Sequence, residues 1–482
     1  MAISSAGIGS GLNVQSIVSQ LVAVESQPIK LLQSKNSALQ TKMSVFGQIK
    51  SELSTLQDAS SALVDSTTWN ALTVSSSNTS AFTGTVTTGA QSGSHTIEVN
   101  NLVSAQSLKS PSFAATDTMG TSGTLSFYTG YYDSNNNFAS SGVADTVSVS
   151  PTDTITDVVK NINAKSSTLG VTASVVTVAD KQQLVIRGNT AGASNAFQID
   201  ASAGLSALRF MPADVVQPGT TTVSAAKSTT PSVEVTQGMA AADAKVTIDG
   251  IAVTSSTNTV SGALTGVTLN LLSQTTTPAQ MSVDLDKTSM KTKIQAFQDS
   301  YNKLYADLKT QTAYNSATKT GGPLLGDNTA VSIQNMMRTL IGSNGPATST
   351  INRLSNLGLE IQADGSLSTN STKLDAALQD PSNVKAFFSA NTGTASGNGI
   401  AKRVYDFAFG ALSIGGSAST HSTSFQTAID SNNKSIDRFN LHLSDYQAQL
   451  LKQYNALDAS MAKLNSLSSY VTQQIATWNK TG

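Results

Sequence analysis

The chain begins on a helical pattern of apolar positions. Between residues 12 and 64, Leu32, Leu39, Phe46 and Leu53 recur every seventh position, and Ile49, Leu56 and Leu63 follow three residues further on. This alternation keeps one apolar stripe on one helix face, as a coiled-coil seam requires. Pro28 interrupts it. Lacking an amide N–H and clashing with the preceding turn, it predicts a kink or a fresh helix start. The carboxyl end repeats the signal at greater length. Ile436, Leu443, Leu450, Leu457, Leu464, Val471 and Trp478 hold one heptad position, while Phe439, Tyr446 and Leu467 fill its companion. Gln453, Ser460 and Gln474 are polar exceptions in that second line. At about 1.5 Å per residue the stretch 436–478 predicts a rod roughly 60–65 Å long. Burial of each leucine contributes about 1.5–3 kcal/mol. A bare seam of this length is unfavourable in water, so the amino-terminal helix, another subunit or both are expected to cover it.

Between the two ends the period falls from 3.6 to 2. HTIEVNNLVSAQSLKS, residues 171–178, QLVIRG, KVTIDGIAV and GVTLNLL all read as strands, with a turn at Asp249-Gly250. One helix is embedded among them at 152–164, with an acidic start and Ile155, Val158, Val159 and Ile162 on one side. YTGYYDSNNNFASSG reads as an exposed loop, its three tyrosines satisfied at the surface. Helices return after Asp286: MKTKIQAFQDSYNKLYADLKTQ, a second beyond Asp327, and AKRVYDFAFGAL. LGLEIQADGSLSTNSTKLDAAL reads as a strand, a turn at Asp364-Gly365 and a short helix.

Charge and proline place the boundaries. Residues 66–285 hold 8 Lys+Arg against 13 Asp+Glu, whereas the remaining 262 hold 21 against 17. Five of the ten prolines, Pro111, Pro151, Pro212, Pro218 and Pro231, cluster in one part of the middle. The expected fold is multidomain α+β: a helical base and coiled-coil-like terminal helices with nested β-rich insertion domains. The terminal assembly helices are assigned to 1–42 and 430–482, and the helical base to 43–77 and 284–429. A β-rich platform takes 78–108 and 232–283, and a nested β-rich outer domain with a short helix takes 109–231.

Composition narrows the chemistry. With 29 Lys+Arg against 30 Asp+Glu, the chain lacks the basic footprint of a general nucleic-acid binder. It has no cysteine, hence no disulfide, thiol nucleophile or sulfur-ligated metal. The opening MAISSAGIGSGLN shows no basic region followed by an apolar core, so no general secretory signal is expected. No stretch approaches the ~20 apolar residues that span a bilayer. Gly7, Gly9 and Gly11 lack the preceding strand of a dinucleotide site, and KTGGPLLGDNTA lacks the Gly-Lys-Ser/Thr ending of a phosphate loop. Asp153 and Asp157 suit a helix start better than a catalytic pair. Asp249 and Asp364 each precede a turn glycine. His95, immediately before a strand, His421 and His442 have no local metal-ligand spacing and are expected to form ordinary surface or interface hydrogen bonds. No enzyme, cofactor or metal centre is expected.

Several segments, in order, resemble the flagellar filament-capping family, also called hook-associated protein two. The opening GIGSGLNVQSIVSQLVAVESQPIKLL is similar to that family's amino-terminal signature, with Asn13 where an aspartate is frequent. IDRFNLHLSDYQAQLLKQYNALDASMAKLNSLSSYVTQQI is similar to its carboxyl-terminal assembly helix. TDTITDVVKNINA, KVTIDGIAVTSSTNTVSGALTGVTLNLL and LGLEIQADGSLSTNSTKLDAALQDPSNVKAFF add matches between them. The resemblance implies a structural cap at the distal tip of the bacterial flagellum, which retains exported flagellin and promotes its folding and insertion. It implies secretion through the flagellar export pathway and self-association into a ring. The implied partners are flagellin, the hook-associated junction proteins and an export chaperone; no nucleic acid and no membrane span are implied. Some members of the family also contribute to adhesion. The implied assembly seam is Leu32, Leu39, Phe46, Leu53, Ile436, Leu443, Leu450, Leu457, Leu464, Val471 and Trp478. Alternatives are another axial flagellar component (flagellin or a hook–filament junction protein) or a surface adhesin with a helical stalk.

Overall fold

The computed structural model describes residues 13–133, 137–211, 215–216 and 235–479. The glycines at positions 7, 9 and 11 lie outside them. Two compact units form: one takes both chain ends, up to Asn70 and from Lys287 on, and the other is Ala71–Asp286.

In the helical unit the amino-terminal pattern becomes two helices, Val14–Glu25 and Gln27–Val64. The Asn13 side chain caps the first by accepting the Ser16 N–H at 3.0 Å. The break falls at Ser26, and Pro28 stands in the first turn of the second helix, where a missing N–H costs nothing. The long second helix packs against Lys287–Thr312, Ile400–Leu412 and the terminal helix Ser417–Trp478. Phe46, Ile49, Leu53, Leu56 and Leu63 are fully buried, as are Ile294, Phe297, Leu304 and Leu308 of the helix at 287–312 and Ile400 and Val404. At the far end of this core the Trp69 indole N–H donates to the Leu63 carbonyl at 2.9 Å, and its ring stacks 6.0 Å from Phe388. Asp327 caps Asn328–Gly342 by accepting the Thr329 and Ala330 N–H groups. The segment around Asp364 is a strand pair, Leu359–Ile361 with Leu367–Thr369, so the second strand escaped the sequence reading, as did the helix Pro381–Ser389.

A charged pair lies at the edge of this core, with the carboxylate buried and the ammonium exposed. Glu52 is buried on the long helix and accepts from Lys303 Nζ at 2.5 Å and from Gln48 Nε2 at 2.8 Å. Burial pushes the Glu52 carboxyl up, and Asp307 beside it pushes the same way. The hydrogen bond that Lys303 donates to Glu52 holds its ammonium above its usual value. Lys303→Met removes the counter-ion and raises the Glu52 carboxyl further. An acid raised in the folded state loses stability as pH climbs above its unfolded value, about 4.3 for glutamate. The deficit of this variant is therefore expected above that pH and absent below it, measured by urea unfolding across the acid range.

The strand-rich unit holds two main cores. Five strands, in the order Leu72–Ser76, Ala279–Leu285, Gly93–Asn101, Ala244–Ile248 and Ile251–Ser255, form one antiparallel sheet. A second sheet, Thr259–Leu264, Val267–Leu271 and Phe82–Val86, contributes to the same core of Phe82, Ile97, Val99, Val246, Leu269 and Met281. The DG turn is real, with Asp249 at φ 50° and Gly250 at φ 85°. His95 lies within the strand Gly93–Asn101 rather than before it. Its Nδ1 meets Asp249 Oδ2 at 2.7 Å, and Asp249 also accepts the Thr96 N–H, which together hold that carboxyl below the usual range.

The other core lies between the strands Ser107–Ala114, Gly123–Tyr132, Asp145–Val149, Val171–Val178, Lys181–Gly188 and Ala196–Ala201. The helix Ile155–Asn163 closes it with Ile155, Val158 and Ile162 buried. Its cap is Thr154, in a reciprocal box with Asp157, whose carboxyl the Thr154 hydroxyl and N–H hold low. Asp153 instead accepts the Ser150 N–H and Asn161 Nδ2. The tyrosine stretch is a hairpin, not a loop: Gly123–Tyr132 pairs with Phe138–Ser140, and Tyr132 packs 5.2 Å from the buried Phe138. The Asn/Ser run after Asp133 masks the alternation of aromatic and small residues in the sequence.

Candidate assembly interface

The terminal helix starts earlier than its heptads announced. It runs Ser417–Trp478, 62 residues. Its first five turns are rich in Ser, Thr and Asn, and only Ala418, Phe425, Ile429 and Asn432 are buried there. Phe425 and Asn432 fall on the line of Phe439 and Tyr446, and Ile429 on the line of Ile436 and Leu443, so the seam extends upstream. Because one of those positions is asparagine, the hydrophobic count alone missed it.

Two polar contacts fasten this upstream part. Asn36, buried on the long second helix, donates from Nδ2 to Asn433 Oδ1 at 2.7 Å and accepts from Asn432 Nδ2 at 2.8 Å. A buried polar pair between helices is satisfied in one register only, which makes it a register device rather than a source of stability. Asn36→Leu leaves the Asn432 amide without this acceptor and is expected to cost about 1–2 kcal/mol. The double variant Asn36→Leu/Asn432→Leu is expected to recover that loss in thermal melts, because both polar partners are gone. About three turns before Asn432, His421 Nε2 meets Asp327 Oδ2 at 2.6 Å, the same carboxylate that caps Asn328–Gly342. Its ring lies edge-on to Phe46 at 4.9 Å and to Phe425 at 4.6 Å.

Further along, the first helix takes over the cover. Val14, Val18 and Leu450 form a buried cluster, with Leu21, Val22, Tyr446, Leu451 and Tyr454 packed around it. His442 Nε2 stands 3.6 Å from Glu25 Oε1 beside it. Past Tyr454 the seam opens to solvent among the described residues. Leu457 is 47% exposed, Leu464 58% and Trp478 82%, and Leu467, Tyr470, Val471 and Ile475 are exposed with them.

The residues singled out from the heptads therefore fall into three environments. Phe46, Leu53 and Leu450 are buried. Leu32, Leu39, Ile436 and Leu443 are half-buried. Leu457, Leu464, Val471 and Trp478 are exposed. Among the described residues no group of three acidic or histidine side chains is placed to hold a metal, and no helix is long and apolar enough to cross a membrane.

A helical unit built from both chain ends, with a β-rich excursion between them and a bare apolar stripe on its longest helix, defines a structural assembly subunit. The sequence matches specify which. Residues 10–106 match the model for the flagellar hook-associated protein 2 amino terminus, and 241–466 match that for its carboxyl terminus. Between them, 137–190 match the flagellin hook IN motif. The A-type flagellar hook-associated protein 2 of Pseudomonas aeruginosa is 30% identical over 98% of this chain and 96% of its own. The flagellar hook-associated protein 2 of Escherichia coli K12 is 29% identical, covering 98% of each. The chain belongs to the flagellar hook-associated protein 2 family. Among solved structures, the D1-D2-D3 domains of the Escherichia coli flagellar cap protein align with 79% of this chain and 99% of their own, at 24% identity and a TM-score of 0.47.

Proposed function

We propose that this protein is the structural cap at the distal end of the bacterial flagellar filament, a secreted oligomer that retains exported flagellin and promotes its folding and insertion. The observation that carries this reading is the relatedness of the whole chain, end to end, to hook-associated protein 2. The exposed stripe from Leu457 to Trp478 supplies the mechanism. Apolar surface of this extent on a single helix is stable once neighbouring subunits or filament ends cover it. Gln453, Ser460 and Gln474 interrupt the companion line, so the contacts are weak enough to be exchanged as subunits pass beneath. The strand-rich unit is the outward platform, and flagellin, the junction proteins and an export chaperone are the partners that meet the helical ends.

Immunogold microscopy of flagellated cells tests the assignment. Label confined to filament tips is expected, together with unpolymerised flagellin in the medium when the gene is deleted. Label along the filament or at its junction with the hook would instead make the chain flagellin or a junction protein.

The domain division enters the same proposal. The outgoing and returning segments meet at the Ser104–Ala242 bridge, close to where the two terminal family matches stop at 106 and resume at 241. The region 109–231 is then a removable outer domain. Replacing it by a short linker is expected to leave the terminal-helix signal in circular dichroism intact. Wholesale loss of helix would refute the modular division.

A further inference from the structure

We propose that the cleft where the platform meets the outer β-domain is a binding site for a small organic anion, a carboxylate on an apolar or ring-shaped body. The cleft has a volume of about 610 Å³. That lies within the range of small-molecule sites, which gather where two packed layers meet. Two cationic residues line it from different sheets. Arg187 comes from the strand Lys181–Gly188 of the outer domain, and Lys245 from the strand Ala244–Ile248 of the platform. Leu102, Val103 and Met239 supply apolar walls and Gln274 an amide.

The frame is pinned by backbone bonds. Ser104 and Ala242 exchange N–H···O bonds of 2.9 and 3.2 Å, and the Ser104 hydroxyl donates to the Ala240 carbonyl at 2.8 Å. The cations thus stand on a fixed base rather than on a loose loop.

Electrostatics point to the ligand. The stretch 66–285 is acidic, with 13 Asp+Glu against 8 Lys+Arg. Yet among the described residues no acidic one lines this cleft. Among the described residues neither the Arg187 guanidinium nor the Lys245 ammonium forms an ion pair or side-chain hydrogen bond. The neighbouring acid Asp243, just before the strand, accepts the Ala193 N–H at 2.7 Å. An anion bound in the cleft faces both cationic residues and no lining carboxylate of the described residues. The guanidinium fork matches a carboxylate with two parallel N–H···O bonds, and Lys245 adds a point charge. The apolar walls then select an anion with a hydrocarbon or ring body over a fully hydrated ion.

The test uses the full-length chain and phenylacetate as probe, followed by saturation-transfer NMR. Saturable binding is expected, weakened about ten-fold or more in Arg187→Gln and in Lys245→Gln, each of which loses a charged hydrogen-bond donor. Lys181→Gln, on the same strand as Arg187 but outside the cleft, is expected to bind as the parent does. The uncharged isostere phenylacetamide is expected to bind more weakly by a similar factor. Circular dichroism verifies that the variants remain folded, and both altered side chains are solvent-exposed. Non-saturable signal, or equal binding by the Arg187→Gln/Lys245→Gln double variant, would overturn the proposal. Displacement by inorganic phosphate at concentrations equal to the probe would also overturn it, since the walls would then select nothing.

Discussion

Leu457→Asp is expected to leave the isolated subunit folded and to abolish its assembly. In the single chain Leu457 is already half open to water, so a carboxylate there meets solvent and the helix keeps its hydrogen bonds. When neighbouring subunits cover the stripe, the same carboxylate must be desolvated among apolar side chains. Losing the leucine forfeits about 1.5–3 kcal/mol of burial in each subunit, before any charge penalty. In a ring that loss recurs at every contact, so the association constant falls about 100-fold or more. Light scattering should report the monomer mass at concentrations where the parent chain is oligomeric, with an unchanged circular dichroism spectrum. Leu450→Asp is the contrasting case. Leu450 is buried against Val14 and Val18 within one subunit, so its replacement should also release the helix Val14–Glu25, seen as faster amide exchange there.

The second large effect belongs to Phe46→Ala. Phe46 is fully buried where the long second helix meets the terminal helix, with the His421 and Phe425 rings edge-on to it. Truncating a buried phenylalanine costs about 3–5 kcal/mol through lost transfer energy and the cavity left behind. The loss is expected as a lowered denaturant midpoint of the helical unit. The His421–Asp327 contact sits beside the new cavity, so the start of the terminal helix should open with it. A midpoint within a few tenths molar of the parent value would mean that the two helices do not depend on this contact.

Helices were legible wherever apolar residues kept a heptad or amphipathic spacing. Gln27–Val64, Lys287–Thr312 and Ile400–Leu412 are of this kind, and the turn at Asp249-Gly250 reads directly from local chemistry. What escaped was written in polar residues. The nineteen positions from Ser417 to Ser435 hold few large apolar side chains, so tertiary packing rather than pattern makes them helical. The Asn36–Asn432–Asn433 layer has no hydrophobic signature at all and becomes visible only when the two ends of the chain are brought together. The tyrosine hairpin is hard to see in the sequence because Asn and Ser crowd the segment and its strand Phe138–Ser140 has only three residues. The exposed stripe was legible as a seam. Sequence spacing did not distinguish the part covered inside the subunit, up to Leu450, from the part left bare beyond Tyr454, because that depends on where the helix Val14–Glu25 ends.

The account stands or falls on what happens to that bare part when subunits come together. Hydroxyl-radical footprinting of the chain as monomer and as assembled particle reads it residue by residue. Leu457, Leu464, Leu467, Tyr470 and Trp478 are expected to be oxidised freely in the monomer and protected in the particle, while Val143, exposed in the strand-rich unit, is not required to change. Equal oxidation of those five side chains in both states would contradict the claim that the terminal helix holds the assembly together.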